Sequence, residues 1–323
     1  MYRTVGRYTV VKLIHEGLTY VYLARDPSGR YVVLKLPRRR GSEQTIANEA
    51  RILRALALHP YIPRLIEFGH IDGATPFIAI EYIAGYTPPK LDVDTAIVVT
   101  LCILIALDHM HTRHVVHCDI KPSNIIVGLY RPIAVLDYGI AVFLGEKAIG
   151  ATQSYAAPEQ MKGVCTFESD IYSAFTTMFS FVNGRPPTDV RELREFLESI
   201  GLPHIARHVA TDRPATRIHS AKQLLLLSVE SKRRLLVYPL CRYEELGQRL
   251  ETEIGPFRVS LVRKGLNYVL TCRDCEYMYI YRYGAVYAFR SSAVAQVNDV
   301  ITLVRRDEIP YTFAICGDLR YSS

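Results

Sequence analysis

Long hydrophobic runs are absent from this sequence. The first ten residues lack the apolar core of a signal peptide. The longest apolar run, Ala96–Leu107, is too short to cross a bilayer and has the length of a buried helix. These absences argue against a secreted or membrane protein, so we expect a soluble protein in the cytoplasm with no membrane contact.

Other diagnostic features are missing too. No internal repeat and no low-complexity tract is visible, which argues against repeat architectures and disordered linkers. Tryptophan is absent. Histidines such as His111, His114 and His219 are not spaced as metal ligands, so ordinary surface or core positions explain them best.

The seven cysteines leave three interpretations open. Cys272 and Cys275 are close in sequence, and together with Cys241 and Cys316 they could form a four-thiolate zinc site. A disulfide between two of them is the second interpretation. Free thiols are the third, and they are the usual state in a chain without a secretion signal.

The composition is that of a globular protein. Hydrophobic residues make up 49% and charged residues 22% of the chain, and 323 residues are enough for two domains. The net charge is +7, and its densest basic point is Arg38-Arg39-Arg40. We interpret that cluster as a solvated surface turn, with contact to an acidic partner or nucleic acid as the alternative.

The first 80 residues predict strands and one helix. Ser42–Leu56 has helical spacing of apolar residues, with Ser42 as a plausible N-cap. Alternating apolar and polar residues predict strands within Tyr8–Ala24, Tyr31–Leu36, Leu65–His70 and Phe77–Tyr82. From Asp92 to about Val229 the pattern becomes mainly helical.

The pattern changes again beyond Leu236. Ala293–Leu303 has the spacing of a helix, and a domain boundary is expected near residues 230–240, where charged residues interrupt the apolar pattern. Strands rich in Tyr and Val are predicted at Phe257–Val262, Leu266–Thr271, Tyr277–Tyr283, Ala285–Arg290 and Tyr311–Ile315. Half-buried strand packing explains the alternating tyrosines better than a stacking platform for nucleic acid.

Three short motifs occur in order in the middle of the chain. They are His117–Asn124 (HCDIKPSN), Asp137-Tyr138-Gly139 and Ala157-Pro158-Glu159. Each alone could be a chance turn, but together they supply a carboxylate base, a nearby cation and oxygen ligands for a hard metal ion. The set resembles the signature of the eukaryotic-type (Hanks-type) Ser/Thr protein kinases, over roughly residues 1–230.

The resemblance implies an α+β fold of the bilobal protein-kinase type. Residues 1–84 would form a β-rich N-lobe and residues 85–232 a helical C-lobe, with ATP in the cleft between them. Residues 236–323 show no such resemblance. They are predicted to form a smaller β-rich α+β domain of unknown role.

The resemblance also assigns roles around the transferred phosphate. Asp119 would accept the proton of the substrate hydroxyl, and Lys121 would contact the transferring phosphate. Asn124 and Asp137 would ligate Mg²⁺ (or Mn²⁺) through oxygen. Thr152 matches the hydroxyl that braces Asp119 and Lys121 in the Ser/Thr branch.

Nucleotide binding is implied by residues of both lobes. Lys35 matches the strand lysine that contacts the α- and β-phosphates, and Glu49 matches its ion-pair partner on a helix. The adenine pocket would be formed by Leu13, Val21, Val33, Ile80, Glu81, Ile83 and Ile126, of which Glu81 and Ile83 would offer backbone hydrogen bonds.

Structural positions of the family are matched as well. Leu53, Ile66, His117 and Tyr138 match an apolar column that couples the helix to the catalytic loop. A buried clamp of the activation segment is implied for Glu159 with Arg217, and Asp170 resembles the aspartate that anchors the catalytic loop.

Two departures from the family pattern affect the expected mechanism. Ile14, Glu16 and Thr19 stand where three phosphate-loop glycines are expected, which weakens the predicted approach of the backbone to phosphates. Cys118 replaces the arginine that usually receives an activation-loop phosphate. The second change suggests that phosphorylation of that loop is not required.

The sequence therefore favours an ATP- and Mg²⁺-dependent Ser/Thr protein kinase acting on a protein substrate, with autophosphorylation as a possible reaction. The alternative is a kinase-like scaffold that binds nucleotide weakly and acts through protein partners; a small-molecule kinase is a third interpretation. The C-terminal domain would serve partner or dimer contacts. Nucleic acid is not an expected partner, because the charges of this domain nearly balance.

Overall fold

A six-stranded antiparallel sheet forms the first lobe. The strand order of this sheet is β1-β2-β3-β4-β6-β5. The computed structural model describes residues 2–128, 133–214, 217–221, 233–237, 242–254, 257–282, 285–297, 299–304 and 311–317. The strands are β1 (Thr4–Val5), β2 (Tyr8–Glu16), β3 (Thr19–Arg25), β4 (Tyr31–Pro37), β5 (Leu65–Ile71) and β6 (Thr75–Glu81). Helix α1 (Ser42–Leu56) packs on this sheet, and its bounds confirm the sequence prediction.

The predicted N-cap of α1 is wrong by one position. Gly41, with a φ of 91°, precedes the helix, and Ser42 is its first residue. The Ser42 hydroxyl accepts hydrogen bonds from the backbone N–H groups of Arg38 and Arg39 instead of capping α1. A glycine suits this entry because it adopts a left-handed conformation without a steric penalty.

The second lobe is built around two buried helices. Its helices are α2 (Val93–His111), α3 (Phe167–Asn183), α4 (Val190–Ser199) and α5 (Pro203–Val209). Asp92 caps α2 by accepting a hydrogen bond from the Thr95 N–H, and Gly184, with a φ of 76°, follows the last residue of α3 as its C-cap. Among the described residues, α2 alone is long and apolar enough to cross a membrane, and 83% of its apolar window is buried inside the protein. At 19 residues, α2 is longer than the run from which it was predicted.

Short strands line the junction between the lobes. They are β7 (Gly85–Tyr86), β8 (Val115–Val116), β9 (Ile125–Gly128), β10 (Ala134–Val135) and β11 (Val142–Phe143). β9 pairs with β7 and β10, and β8 pairs with β11. Gly85 is required here because a Cβ atom would collide with the Val127 carbonyl oxygen. The pairs hold the linker between the lobes against the catalytic loop.

The C-terminal region consists of two antiparallel sheets. One has the order β13-β12-β21-β20-β17-β18 and the other β14-β15-β16-β19. Apolar side chains of both sheets form one core cluster, so the sheets pack face to face. The strands are β12 (Arg233–Val237), β13 (Arg242–Glu245), β14 (Arg249–Ile254), β15 (Phe257–Lys264), β16 (Asn267–Cys272), β17 (Tyr277–Arg282), β18 (Ala285–Phe289), β19 (Ser292–Gln296), β20 (Val300–Val304) and β21 (Tyr311–Gly317).

The helix predicted over Ala293–Leu303 is wrong, and the described part of this domain is all-β. β19 and β20 occupy that segment, and Asp299 turns the chain between them by accepting a hydrogen bond from the Gln296 N–H. Ala293 and Ala295 are buried whereas Val294 is exposed, which is the two-residue period of a strand. Pairing with β16 and β17 overrides the helical spacing of the sequence.

The six-stranded sheet of the C-terminal region also contacts the helical lobe. Val300 and Ala314 belong to the same buried cluster as α2, and Tyr281 packs against it. Their neighbours Ile301 and Phe313 point into the core of the C-terminal domain instead. Residues 222–232 and 238–241, which contain most of the predicted boundary, lie outside the described residues.

Candidate active site

The catalytic loop is anchored by one buried carboxylate. Asp170, at the start of α3, accepts hydrogen bonds from the backbone N–H groups of His117 (2.8 Å) and Cys118 (2.9 Å) and contacts His111 Nε2 at 3.1 Å. Cys118 has a φ of 67°, a conformation that most non-glycine residues avoid. The Asp170 contacts therefore hold a strained backbone just before Asp119.

Asp119 lies at the centre of a compact polar group. Its Oδ1 accepts a hydrogen bond from the Thr152 hydroxyl at 2.6 Å, and its Oδ2 contacts Lys121 Nζ at 2.7 Å. Lys121 Nζ also donates to the Thr152 oxygen at 2.8 Å, and Asn124 Nδ2 donates to Asp119 Oδ2 at 3.2 Å. The structure thus brings these four sequence-predicted residues together, with Asp119 9% exposed.

Lys35 joins the two lobes through an ion-pair network. Its Nζ contacts Glu49 Oε1 at 2.7 Å and Oε2 at 2.9 Å on α1, and Asp137 Oδ1 at 3.0 Å. Burial lowers the pKa of Lys35, but the carboxylates of Asp137 and Glu49 outweigh it and raise that pKa above its usual value. The Lys35 charge in turn lowers the pKa of Asp137 to about 2, against the opposing effect of burial.

The oxygen donors fit a hard divalent cation. The Asp137 side chain is half exposed, at 50%, and its lowered pKa keeps its carboxylate ionised even in mildly acidic solution. Asn124 turns its amide nitrogen toward Asp119, which leaves the amide oxygen as its possible metal-binding atom. Carboxylate and amide oxygens are the ligand types that Mg²⁺ binds in proteins.

Most predicted adenine-pocket residues share one region of the cleft. Val21 pairs with Lys35 across β3 and β4, and Val33 pairs with Ile80 across β4 and β6. Directly paired residues of neighbouring strands lie on the same face of the sheet, so these side chains are on the face of Lys35. Ile83 follows β6 and is 8% exposed, Glu81 is the last residue of β6, and Ile126 lies on β9.

Leu13 differs from its predicted position. It pairs with Tyr22 and packs against the cluster formed by Tyr22 and Leu34 on the opposite face of the sheet. Register shifts on both sides of Leu13, between Val10 and Lys12 and between Leu13 and His15, change which side chains face the cleft. Two irregularities of this kind cannot be located from the sequence pattern.

The loop that lacks the expected glycines is held by Arg38. The guanidinium of Arg38 contacts Glu16 Oε1 at 2.8 Å and donates to the Gly17 carbonyl at 3.3 Å, and its backbone N–H donates to the Leu18 carbonyl at 3.3 Å. The positive charge of Arg38 balances the negative charge that Glu16 brings into this loop. One arginine of the basic cluster that was predicted as a solvated turn therefore makes three contacts with this loop.

The predicted pairing of Glu159 with Arg217 is present, whereas the predicted apolar column lacks Ile66. Arg217 and Glu159 form a buried ion pair at 2.5 Å, with side chains 0% and 9% exposed. The His117 and Tyr138 rings lie 4.9 Å apart, and the Tyr138 hydroxyl donates to the Val135 carbonyl. Leu53 shares the main core cluster with Tyr138, whereas Ile66 packs against the cluster of the small-lobe sheet.

The cysteines separate into two groups. Cys272 and Cys275 are joined by a disulfide, whereas Cys102, Cys118 and Cys165 are buried free thiols. No group of three potential metal ligands occurs among the described residues, and the zinc interpretation is not supported there. Cys241 and the side chain of Cys316 lie outside the described residues.

Sequence reasoning missed a second contact between α1 and the segment after Asp137. Asn48 Nδ2 donates to the carbonyls of Gly139 (3.1 Å) and Ala141 (2.8 Å), and Arg51 forms a two-pronged ion pair with Glu146. Asn48 and Arg51 are three residues apart and lie on one helix face beside Glu49. Their spacing is visible in the sequence, but their partners are not.

Comparison with known proteins agrees with this geometry. The protein kinase domain family matches residues 8–245. Serine/threonine-protein kinase PrkC of Bacillus subtilis is 32% identical over 228 residues, which cover 63% of this chain and 34% of the relative. Probable serine/threonine-protein kinase PknB of Lactococcus lactis is 30% identical over 221 residues (60% and 35%), and serine/threonine-protein kinase pkn3 of Myxococcus xanthus is 28% identical over 261 residues (70% and 46%).

The chain spans less than half the length of these three relatives. The family match covers more than half of the chain and includes the three motifs, the Lys35 network and the Asp119 group. The chain therefore belongs to the protein kinase domain family.

Proposed function

We propose that this chain transfers the γ-phosphate of ATP to Ser or Thr hydroxyls of a protein substrate, without needing a phosphate on its own activation segment. The observation that carries the proposal is the Asp119 group. A carboxylate, an ammonium and a hydroxyl lie within hydrogen-bond distance of one another. Such a group can orient a substrate hydroxyl, take up its proton and stabilise the charge on the transferred phosphoryl group.

Each residue has a distinct task in this mechanism. Asp119 accepts the proton of the attacking hydroxyl, while Thr152 fixes the orientation of its carboxylate. Lys121 places a positive charge beside that carboxylate, where the phosphoryl group passes. Lys35, kept in place by Glu49, orients the α- and β-phosphates of the nucleotide.

Metal binding would be the task of Asp137 and Asn124. When bound, Mg²⁺ neutralises charge on the phosphate oxygens. The Asp137 carboxylate is ionised at neutral pH with Lys35 as its counter-ion, and its lowered pKa extends the ionised state into mildly acidic solution. The Asp137 carboxylate is therefore already negatively charged when a cation arrives, and no proton has to leave before the cation binds.

Independence from activation-segment phosphorylation is supported by the surroundings of Cys118. Its side chain is 2% exposed and packs in an apolar cluster with Val116, Val142 and Cys165. Such a cluster cannot receive a phosphate, because burying that charge without a basic partner is costly. The activation segment, between Gly139 and Ala157, already positions Thr152 against Asp119.

The test is phosphoryl transfer from labelled ATP with Mg²⁺, to the chain itself and to a generic protein acceptor. Asp119→Asn, which matches the side chain in size, should abolish labelling while leaving the melting temperature close to that of the wild type. Equal labelling by both proteins would refute the proposal. It would favour the nucleotide-binding scaffold, for which the loss of glycines at Ile14, Glu16 and Thr19 is the supporting observation.

The proposal extends to the cellular setting of the protein. A protein substrate, a cytoplasmic location and partner contacts through the C-terminal domain are all compatible with this mechanism. Separating the two lobes from the C-terminal domain is not a simple test of partner binding, because Val300 and Ala314 pack in the core that contains α2.

A further inference from the structure

A chain of hydrogen bonds connects α1 to the segment that follows Asp137. Arg51 Nη1 and Nη2 donate to the two carboxylate oxygens of Glu146 at 2.7 and 2.8 Å. The same guanidinium donates to Asn48 Oδ1, at 2.8 Å from Nη2 and 3.3 Å from Nε. Asn48 Nδ2 continues the chain to the carbonyls of Gly139 and Ala141.

The Glu146 carboxylate is fixed from both sides. Its Oε2 accepts a hydrogen bond from the Phe143 N–H at 3.0 Å, and Arg51 stacks over the Phe143 ring at 4.9 Å from the ring centre. The hydrogen bonds from Arg51 and from the Phe143 N–H lower the pKa of Glu146 to about 2. A glutamate carboxylate is already ionised at neutral pH, and these hydrogen bonds keep it ionised in mildly acidic solution as well.

The geometry couples this contact to catalysis. Glu49, which holds Lys35, is adjacent to Asn48 on α1, and Gly139 is two residues after Asp137. A Cβ atom on Gly139 would lie 2.5 Å from the Thr45 side chain, so α1 and this segment are already in close contact. The Asn48 bonds can form only while α1 and the Asp137 segment both hold these positions.

We propose that Asn48, Arg51 and Glu146 form a latch that keeps α1 and the Asp137 segment in the catalytic arrangement, with the Glu146 carboxylate supplying the negative charge that a phosphate would otherwise supply. These are positioning residues, since none of them contacts Asp119 in the structure. The inference rests on the proposed function for its kinetic consequences, whereas its structural consequence does not depend on catalysis.

Three variants test the latch. Glu146→Gln keeps the shape of the side chain and removes its charge. Arg51→Ala removes the bonds to Glu146 and to Asn48, and Asn48→Ala removes the bonds to the carbonyls of Gly139 and Ala141. Arg7→Ala is the matched control, because Arg7 forms an exposed ion pair with Glu67 at 2.9 Å elsewhere on the same lobe. All proteins are treated with a phosphatase, which is removed before the assays.

The expected losses follow the strength of the bonds removed. Glu146→Gln should lower kcat about threefold, the range of an exposed ion pair, and Arg51→Ala and Asn48→Ala about tenfold. KM for the protein substrate should stay within about twofold, because none of the three residues contacts Asp119, beside which the substrate hydroxyl would bind. The control and the dephosphorylated wild type should match the untreated wild type.

Hydrogen exchange supplies a readout that is independent of activity. Amides of α1 should exchange faster in the three latch variants than in Arg7→Ala, because α1 loses its tie to the Asp137 segment. If the wild type and Asp119→Asn label equally, the proposed function fails and exchange alone decides on the latch. Unchanged exchange, kcat equal to the control, or loss of wild-type activity after dephosphorylation would each overturn the latch.

Discussion

Thr152 gives the sharpest test of how the site is organised. Its hydroxyl donates to Asp119 Oδ1 at 2.6 Å and accepts from Lys121 Nζ at 2.8 Å, so one oxygen connects both charged groups. Thr152→Val keeps the branched shape and removes both bonds. Because Asp119 and Lys121 still contact each other directly at 2.7 Å, the charges stay paired while their orientation is lost.

The magnitude can be estimated from these bonds. Hydrogen bonds to charged groups contribute about 1.5–3 kcal/mol each, and 1.36 kcal/mol corresponds to a tenfold change in rate. Loss of the Asp119 bond alone therefore predicts a fall in kcat of roughly 10- to 100-fold. KM for ATP should change less than about twofold, because Lys35 and Asp137 are untouched.

The assay is steady-state phosphoryl transfer by wild type, Thr152→Val and Thr152→Ser, after phosphatase treatment of all three. Thr152→Ser should retain most of the rate because it keeps the hydroxyl. A Thr152→Val enzyme with unchanged kcat would refute the bracing role. A wild-type rate that disappears on phosphatase treatment would show that phosphorylation is needed for activity.

Three further outcomes are expected. Arg217→Ala should cost about 3–5 kcal/mol in urea unfolding, because it leaves the Glu159 carboxylate buried without its charged partner. A loss under about 1 kcal/mol, the value of an exposed ion pair, would contradict this. Cys118→Arg should destabilise the protein by at least about 2 kcal/mol, since the added charge enters an apolar cluster, and an unchanged melting temperature would exclude that reason. Lys35 lowers the pKa of Asp137 from 3.8 to about 2, so Asp137 stabilises the fold above pH 3.8 and loses this contribution as the pH falls through about 2. The stability of Asp137→Asn should therefore fall less steeply in acid than that of the wild type, and equal slopes would count against the ion pair.

The sequence predicted a large part of the active site. Asp119, Lys121 and Asn124 lie within one short segment, so their mutual contacts follow largely from a local loop. The contact of Thr152 with Asp119 spans 33 residues and followed from the family resemblance alone. Helix α1 was predicted with its full bounds because its apolar spacing is strong and its burial one-sided.

Other features could not be predicted in this way. The segment Ala293–Leu303 has apolar residues that fit either period, and pairing with β16 and β17 made it two strands. Leu13 changed faces because two register shifts interrupt the alternation of β2. Arg51 and Glu146 are ordinary surface residue types 95 positions apart, and nothing in their local pattern links them.

The three motifs, through their resemblance to the protein kinases, predicted the type of chemistry and the charged groups that would perform it. Only the tertiary structure decided which distant groups meet: Lys35 with Asp137, α1 with Glu146, and the six-stranded sheet of the C-terminal region with α2. The physical reason is that burial and long-range pairing select among local conformations of similar energy, and this selection depends on residues far away in the chain.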